Sequence, residues 1–290
     1  MNIDLENNIK YLVIGDPIAH SLSPQMQNAA FEASWLGRPY SKLHVKTEDF
    51  PNFIRFARER LRGFNITVPH KKTVIPYLDS ISKEAELGES VNTVTITNGK
   101  LHGDSTDGYG LAAALADAFG LQVKDGSFFF IGCGGAVQAA AFHFAAHGAG
   151  NLFFANRSIE KAAELTEKLK KTYPGGNYEF CGLADHDRIK DFIGNSAVAI
   201  QGTSLGLKPD DQLPLPPELL HDICFFDTIY KDTPLLQYAR QAGLKAADGR
   251  GMLLHQGARS FELWTKLAAP VEIMRQALEQ AVAARTGATK

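Results

Sequence analysis

The chain has 290 residues, of which 44% are hydrophobic and 21% charged, and its formal net charge is −2. That length is comfortable for two domains, the composition is that of a globular protein, and the charge balance leaves no basic field for nucleic acid. No apolar stretch reaches the length of a bilayer span. The three cysteines, Cys133, Cys181 and Cys224, lie far apart and form no disulfide framework. The polar start "MNIDLENN" lacks the apolar core of a signal peptide, so a reducing, cytoplasmic setting is the expectation.

Taken in chain order, "YLVIG" at 11–15 reads as a strand, followed by a helix from Pro24 to about Leu36 that Gly37 stops. Between them "GDPIAHSLSP" places Ser21 and Ser23 at the positive end of that helix, with Ser23 suited to the cap and Pro24 to the first turn. Hydroxyls at such an end point to a bound anion. "KLHV" is a second strand, and "TEDFPNFIRFARERLRG" a helix with Thr47 as cap. "GFNITVP" is a third strand. "VNTVTITNGKLHG" is a β-hairpin, because Asn98-Gly99 supplies the positive φ angles of a tight turn. A helix near 110–119 follows. "GSFFFIGCGGAVQAAAFHFAAHGAGNLFFANRS" is then strand, glycine turn, apolar helix and strand, one βαβ unit. "NSAVAIQGTS" and "ICFFDTIY" continue the alternation, and the end of the chain, from about Met252, is helical with a break at Pro270. The tail is expected to pack back on the first domain.

Gly132, Gly134 and Gly135 allow close approach of backbone to a pyrophosphate at a helix N-terminus, although Val137 takes the last glycine position of the dinucleotide fingerprint. The next strand ends in "ANRSIEK". An acid there would bind the ribose diol of NAD; instead Arg157, with Lys161 one turn on, suits a 2′-phosphate, which favours NADP. Glu160 is expected to point to solvent. The competing reading makes Arg157 a solvated loop residue and Ser158 only a helix cap. In "FNITVPHKK", Asn65, Thr67 and Lys71 gather at a strand's carboxyl end, and Asp107 in "DSTDGYG" sits at a helix start. Together Lys71 and Asp107 make an acid–base pair; singly they read as a surface lysine and a helix cap. His143 and His147 are four apart on one helix but lack an adjacent glutamate, so no metal is expected. Cys133 is not expected to be a nucleophile. His20 reads equally as structural or site-shaping, and Lys71-Lys72 is too short for an RNA patch.

The motifs "GDPIAHSLSP", "GFNITVPHK", "SVNT", "STDG", "GCGGA", "NRS", "TSLG", "DTIY" and "DGRGMLLHQGARSFELW", in this order, resemble the shikimate dehydrogenase family over nearly the whole chain. The resemblance implies an α/β fold in which residues 1–106 with 247–290 form a substrate domain completed by the C-terminal helices, and 107–246 a Rossmann domain for NADP. It implies reversible NADPH-dependent reduction of 3-dehydroshikimate to shikimate in aromatic amino-acid biosynthesis. Carried over by position, Ser21 and Ser23 hold the substrate carboxylate. Thr67, Asn92, Asp107 and Gln256 meet the ring hydroxyls, Tyr230 closes the site, and Lys71 is the acid–base group. Gly132, Cys133, Gly134, Gly135 and Ala136 cradle the pyrophosphate; Asn156, Arg157, Ser158 and Lys161 take the adenosine 2′-phosphate; Thr228 and Gly249 approach the nicotinamide.

Departures from the family pattern are Gln27, where many members have histidine, Ser105 for asparagine, Cys133 for alanine and Lys83 at an often acidic position. They leave open a quinate/shikimate dehydrogenase that uses NAD or both cofactors. A non-catalytic nucleotide-sensing module is the reading from another class, and it has no evident need for Lys71 with Asp107. The expected partner is a small-molecule substrate, with no nucleic acid or membrane, in a monomer or homodimer.

Overall fold

The computed structural model describes residues 8–208 and 210–287. The polar N-terminal stretch lies, but for its last residue, outside them. Two compact units divide the chain, one running to Gly110 and resuming at Leu254, the other Leu111–Leu253.

The first unit is built from β1 (Tyr11–Gly15), α1 (Ser23–Ala33), β2 (Tyr40–His44), α2 (Phe50–Arg60), β3 (Gly63–Ile66), the short α3 (His70–Thr73), β4 (Ser80–Ile81), α4 (Lys83–Leu87) and the hairpin β5 (Thr93–Thr97) and β6 (Lys100–Asp104). Its sheet runs β2-β1-β3-β5-β6-β4. β1 pairs in parallel with β2 and with β3, while β5 is antiparallel to β3 and β6. The chain goes from β1 outward to β2 and then crosses back to β3. The loops after β1 and β3 therefore leave the sheet at its topological switch, the place where open α/β sheets take ligands. The hairpin turns through Asn98 and Gly99 at φ +52° and +72°, as the dipeptide predicts.

Two helix starts differ from the sequence expectation. α1 begins at Ser23, and Ser23 does not cap it; Ser21 Oγ accepts the Ser23 N–H at 3.3 Å. The same helix ends at Ala33 because Trp35 turns left-handed (φ +61°) and the Leu36 N–H closes on the Phe31 carbonyl. Thr47 opens a single 3₁₀ turn ahead of α2, whose first turn holds Pro51.

β1 is buried at all five positions, so its alternate residues feed two cores. Leu12 and Ile14 pack with Phe50, Phe53, Phe64 and Val94. On the other face Tyr11 stacks on Phe31 at 4.8 Å and lies 5.0 Å from Trp264. Trp264 belongs to α10 (Arg250–Thr265), which precedes α11 (Val271–Gly287). Trp264 donates to the Val94 carbonyl at 3.0 Å and Gln27 to that of Gly257 at 2.8 Å, so the C-terminal helices complete this unit.

The second unit takes up α5 (Asp107–Phe119), which starts in the first, and then β7 (Ser127–Ile131), α6 (Gly135–Ala146), β8 (Asn151–Asn156), α7 (Ile159–Thr172), β9 (Asn177–Gly182), α8 (His186–Gly194), β10 (Val198–Gln201), β11 (Cys224–Asp227), α9 (Pro234–Gln241) and β12 (Ala246–Ala247). All strands are parallel, in the order β12-β11-β10-β7-β8-β9. Numbered within the unit this is the 3-2-1-4-5-6 order of dinucleotide-binding sheets. Its strands are apolar runs because helices cover both faces: Phe129 and Phe153 pack with Phe192 on one side, Phe130 and Phe154 with Phe144 on the other. Among the described residues no helix is long and apolar enough to cross a membrane.

Candidate active site

The loop after β1 is braced through its carbonyl groups. Lys42 Nζ donates to Ala19 O at 2.6 Å, and Arg285 donates to His20 O at 2.8 Å and Ser21 O at 3.3 Å. His20 takes part only through that carbonyl, and its side chain is exposed. With the carbonyls held by cations, Ser21 and Ser23 remain at the start of α1, where the first N–H groups of a helix lack intrahelical partners. Thr67 stands at the end of the adjacent β3, its N–H bonded to Ile14 O.

Lys71 follows on the turn of α3. Its Nζ lies 2.5 Å from Asp107 Oδ2, and the side chains are 22% and 7% exposed. Both carboxylate oxygens are engaged, because Asn92 Nδ2 donates to Oδ1 at 2.9 Å. The same amide meets Gln256 Oε1 at 3.3 Å. Its orientation is decided by the backbone N–H of Thr106, an obligate donor 2.8 Å from Asn92 Oδ1. Asp107 is the first residue of α5, yet its carboxylate goes to Lys71 and Asn92 and not to a cap. Lys71 and Asp107 thus form an ion pair that is nearly buried, with the lysine the more exposed of the two.

In the second unit, Gly132 ends β7 at φ +99°, a conformation that side chains rarely adopt, and an added Cβ there would lie 2.8 Å from Thr203 Cγ2. Gly134 caps α6 with extended backbone. The Cys133 N–H donates to Asn156 Oδ1 at 3.2 Å, and Asn156 Nδ2 to Ser158 O at 2.7 Å. Asn156 therefore staples the glycine turn to the turn that opens α7. Burial pushes the Cys133 thiol up to about 12, so no thiolate nucleophile forms there. Arg157 and Lys161 are exposed and have no ion pair or hydrogen bond among the described residues. Ser158 caps nothing; its hydroxyl donates to Glu160 Oε2 at 2.8 Å. Glu160 is exposed as expected, and its own backbone N–H with that hydroxyl holds its carboxyl below the usual range. His147 Nδ1 lies 2.8 Å from the His143 carbonyl within α6.

Family models match along the chain: the shikimate dehydrogenase substrate binding domain at residues 13–94, the shikimate/quinate 5-dehydrogenase model at 114–204 and the shikimate 5'-dehydrogenase C-terminal domain at 249–279. A shikimate dehydrogenase (NADP(+)) of Methanopyrus kandleri is 37% identical over 284 residues, 96% of this chain and 97% of that protein. This chain belongs to the shikimate dehydrogenase family. The crystal structure of a Listeria monocytogenes shikimate 5-dehydrogenase with shikimate and NAD is 30% identical, with a TM-score of 0.86 over 96% of this chain and 99% of that one. A Thermus thermophilus shikimate 5-dehydrogenase with NADP(H) and shikimate is 32% identical, with a TM-score of 0.82 over 94% and 99%.

Several buried, hydrogen-bonded polar residues near the candidate groups escaped the sequence reading. Asp227, at the end of β11, is fully buried and accepts from the Ile229 N–H at 3.0 Å and Thr233 Oγ1 at 2.7 Å. Burial, with the nearby Asp248 charge, pushes its carboxyl up to about 6. It shapes the turn that carries Thr228 and Tyr230, onto which Gly249 closes through its N–H to the Ile229 carbonyl at 3.1 Å. The signal was present in "DTIYKDTP", an acid six residues before a Thr-Pro helix start. Thr93, Thr106 and Ser260 carried no such local signal.

Proposed function

We propose that the chain catalyses reversible NADPH-dependent reduction of 3-dehydroshikimate to shikimate, and the observation that carries this is Lys71 held against Asp107 at 2.5 Å beside Asn92 and Gln256. The unit around that pair takes the substrate, and Leu111–Leu253 takes the cofactor. The hydroxyls of Ser21 and Ser23, at a helix start, hold the ring carboxylate. Thr67, Asn92, Asp107 and Gln256 meet ring hydroxyls, and Tyr230 is assigned to the substrate as well. The turn from Gly132 to Ala136 fits a pyrophosphate, since Gly134 and Gly135 are exposed and Gly132 and Gly134 face the β10 loop. Arg157 and Lys161, two unpaired cations at one helix start, fit a 2′-phosphate together with Asn156 and Ser158. Thr228 and Gly249 border the nicotinamide.

A nicotinamide bound there supplies hydride to the ring carbon or takes it up. The protein's own part is the proton. In reduction Lys71 Nζ gives its proton to the carbonyl oxygen and becomes the amine; in oxidation the amine takes the hydroxyl proton. Asp107, pinned on its other oxygen by Asn92, keeps the ammonium in one place. The three free cysteines support work in a reducing, cytoplasmic setting.

A second reading, a quinate/shikimate dehydrogenase that also uses NAD, is favoured by one observation. The Glu160 carboxylate sits on the Ser158 hydroxyl, a negative charge in the turn that the 2′-phosphate enters. Steady-state rates with shikimate and quinate, each with NADP+ and NAD+, test both readings. Turnover of shikimate with NADP+ at the highest kcat/KM is expected. No turnover of shikimate would end the first reading, and a higher kcat/KM with NAD+ would end the assignment of Arg157.

A further inference from the structure

Helix α10 brings more to the acid–base pair than Gln256. Ser260, one turn later on the helix, is fully buried. Its Oγ lies 2.8 Å from Thr93 Oγ1, 3.0 Å from Asn65 Nδ2 and 3.4 Å from Thr106 Oγ1, and it donates to the Gln256 carbonyl at 2.9 Å. A hydroxyl has one proton. Thr93 spends its proton on Asn92 Oδ1, so the Ser260 proton serves the Gln256 carbonyl or Thr93 Oγ1 while its oxygen accepts from Asn65 Nδ2.

The layer above it leads to the reacting groups. Thr93 Oγ1 lies 3.0 Å and Thr106 Oγ1 3.2 Å from Asn92 Oδ1, and Asn92 Nδ2 reaches Thr106 Oγ1 and Asp107 Oδ1, both at 2.9 Å. Asn65 closes the base, with Tyr40 Oη donating to its Oδ1 at 2.7 Å and its Nδ2 reaching the Asn92 carbonyl at 3.1 Å. Ser260 touches neither Lys71 nor Asp107. Its neighbours Phe261 and Trp264 pack into an aromatic core, where an alanine would fill the space without a buried hydroxyl to satisfy. A serine there makes sense if the oxygen has a task in the polar layer.

Resting on the reading of Lys71 and Asp107 above, we infer that Ser260 is a positioning residue for proton transfer: its oxygen fixes Thr93 and Thr106, they fix the Asn92 amide, and that amide fixes the Asp107 carboxylate against Lys71. Buried polar networks of this kind lose more than one bond when one member goes, because each remaining donor must find a new partner in a low-dielectric interior. A loosened carboxylate holds the Lys71 ammonium in line for transfer less of the time, so the loss falls on kcat and not on binding.

The test is steady-state oxidation of shikimate with NADP+ by the full-length enzyme and three variants, with kcat and both KM values read separately. Ser260→Ala is expected to lower kcat about tenfold and leave the KM for shikimate and for NADP+ within about twofold. Thr93→Val, nearly equal in volume, should lower kcat in the same way and reads the same layer if Ser260→Ala folds poorly. Thr265→Ala removes another hydroxyl of α10, one bonded to the Phe261 carbonyl at 2.8 Å and outside the layer; it should leave kcat unchanged. A wild-type kcat in both Ser260→Ala and Thr93→Val overturns the inference, as does a loss of rate in Ser260→Ala that Thr265→Ala matches. An unmodified enzyme inactive on shikimate would instead refute the function proposed above, and that blank appears before any variant is compared.

Discussion

In the unit around Lys71 the candidate catalytic groups are tied to one another, whereas in Leu111–Leu253 the candidate cofactor groups stand apart. Lys71, Asp107, Asn92 and Gln256 form one chain of hydrogen bonds, and Asp107 is only 5% exposed. Arg157 and Lys161 are exposed and bonded to nothing described, and the glycine turn beside them offers mainly backbone. The difference follows the task. A proton moves over a fraction of an ångström and requires its donor held in advance by a rigid, desolvated frame. A phosphate with two negative charges is captured by cations that reorganise at little cost, and its position is set by backbone N–H groups.

The contrast can be broken or sharpened by substitution. Lys71→Ala should lower kcat about 10³-fold with little change in NADP+ affinity measured by fluorescence titration, since one general acid–base group contributes 10²–10⁴; a loss of affinity of similar size would erase the division of labour. Asp227 is the place where the cofactor unit resembles the other, with a buried charge. The folded protein holds the Asp227 proton up to about pH 6, against 3.8 for the free group, so this group's contribution is full at low pH and lost as pH rises through that window. Urea unfolding should show Asp227→Asn gaining on the unmodified protein by up to about 3 kcal/mol between pH 4 and pH 7; a difference independent of pH would show that the carboxyl is not desolvated. Arg157→Ala should reduce kcat/KM for NADP+ about 30-fold and that for NAD+ by less than about twofold. Equal losses for both would mean the guanidinium does not read the 2′-phosphate. The smallest effect is expected from Glu160→Gln, about a threefold gain in kcat/KM for NADP+ through removal of one exposed like charge.

Much of this was legible from residues. The strands, the Asn98-Gly99 turn, the glycine turn after "FFFI" and the basic "NRS" turn follow from period, turn chemistry and spacing, and the nine ordered motifs pointed to the family and to Lys71 with Asp107. Helix ends were less legible, because Ser21 and not Ser23 answers the free N–H, and Trp35 ends α1 without a glycine. Asp227 and Ser260 were not found at all. The signal for Asp227 lay in "DTIYKDTP" and was passed over, whereas Ser260 had none, since it meets Thr93 across 167 positions.

What the sequence by itself determined is local: which runs are strands, where the chain turns, and which helix starts carry hydroxyls, glycines or cations. Only the tertiary structure decided how the polar groups are shared out. A hydrophobic period records that a side chain faces inward, but whether a buried hydroxyl or carboxylate finds its partner depends on strand order and on a C-terminal helix returning to the first sheet. The pairing of Asp107 with Lys71 and Asn92, and of Ser260 with the layer beneath them, exists only once those distant segments are side by side.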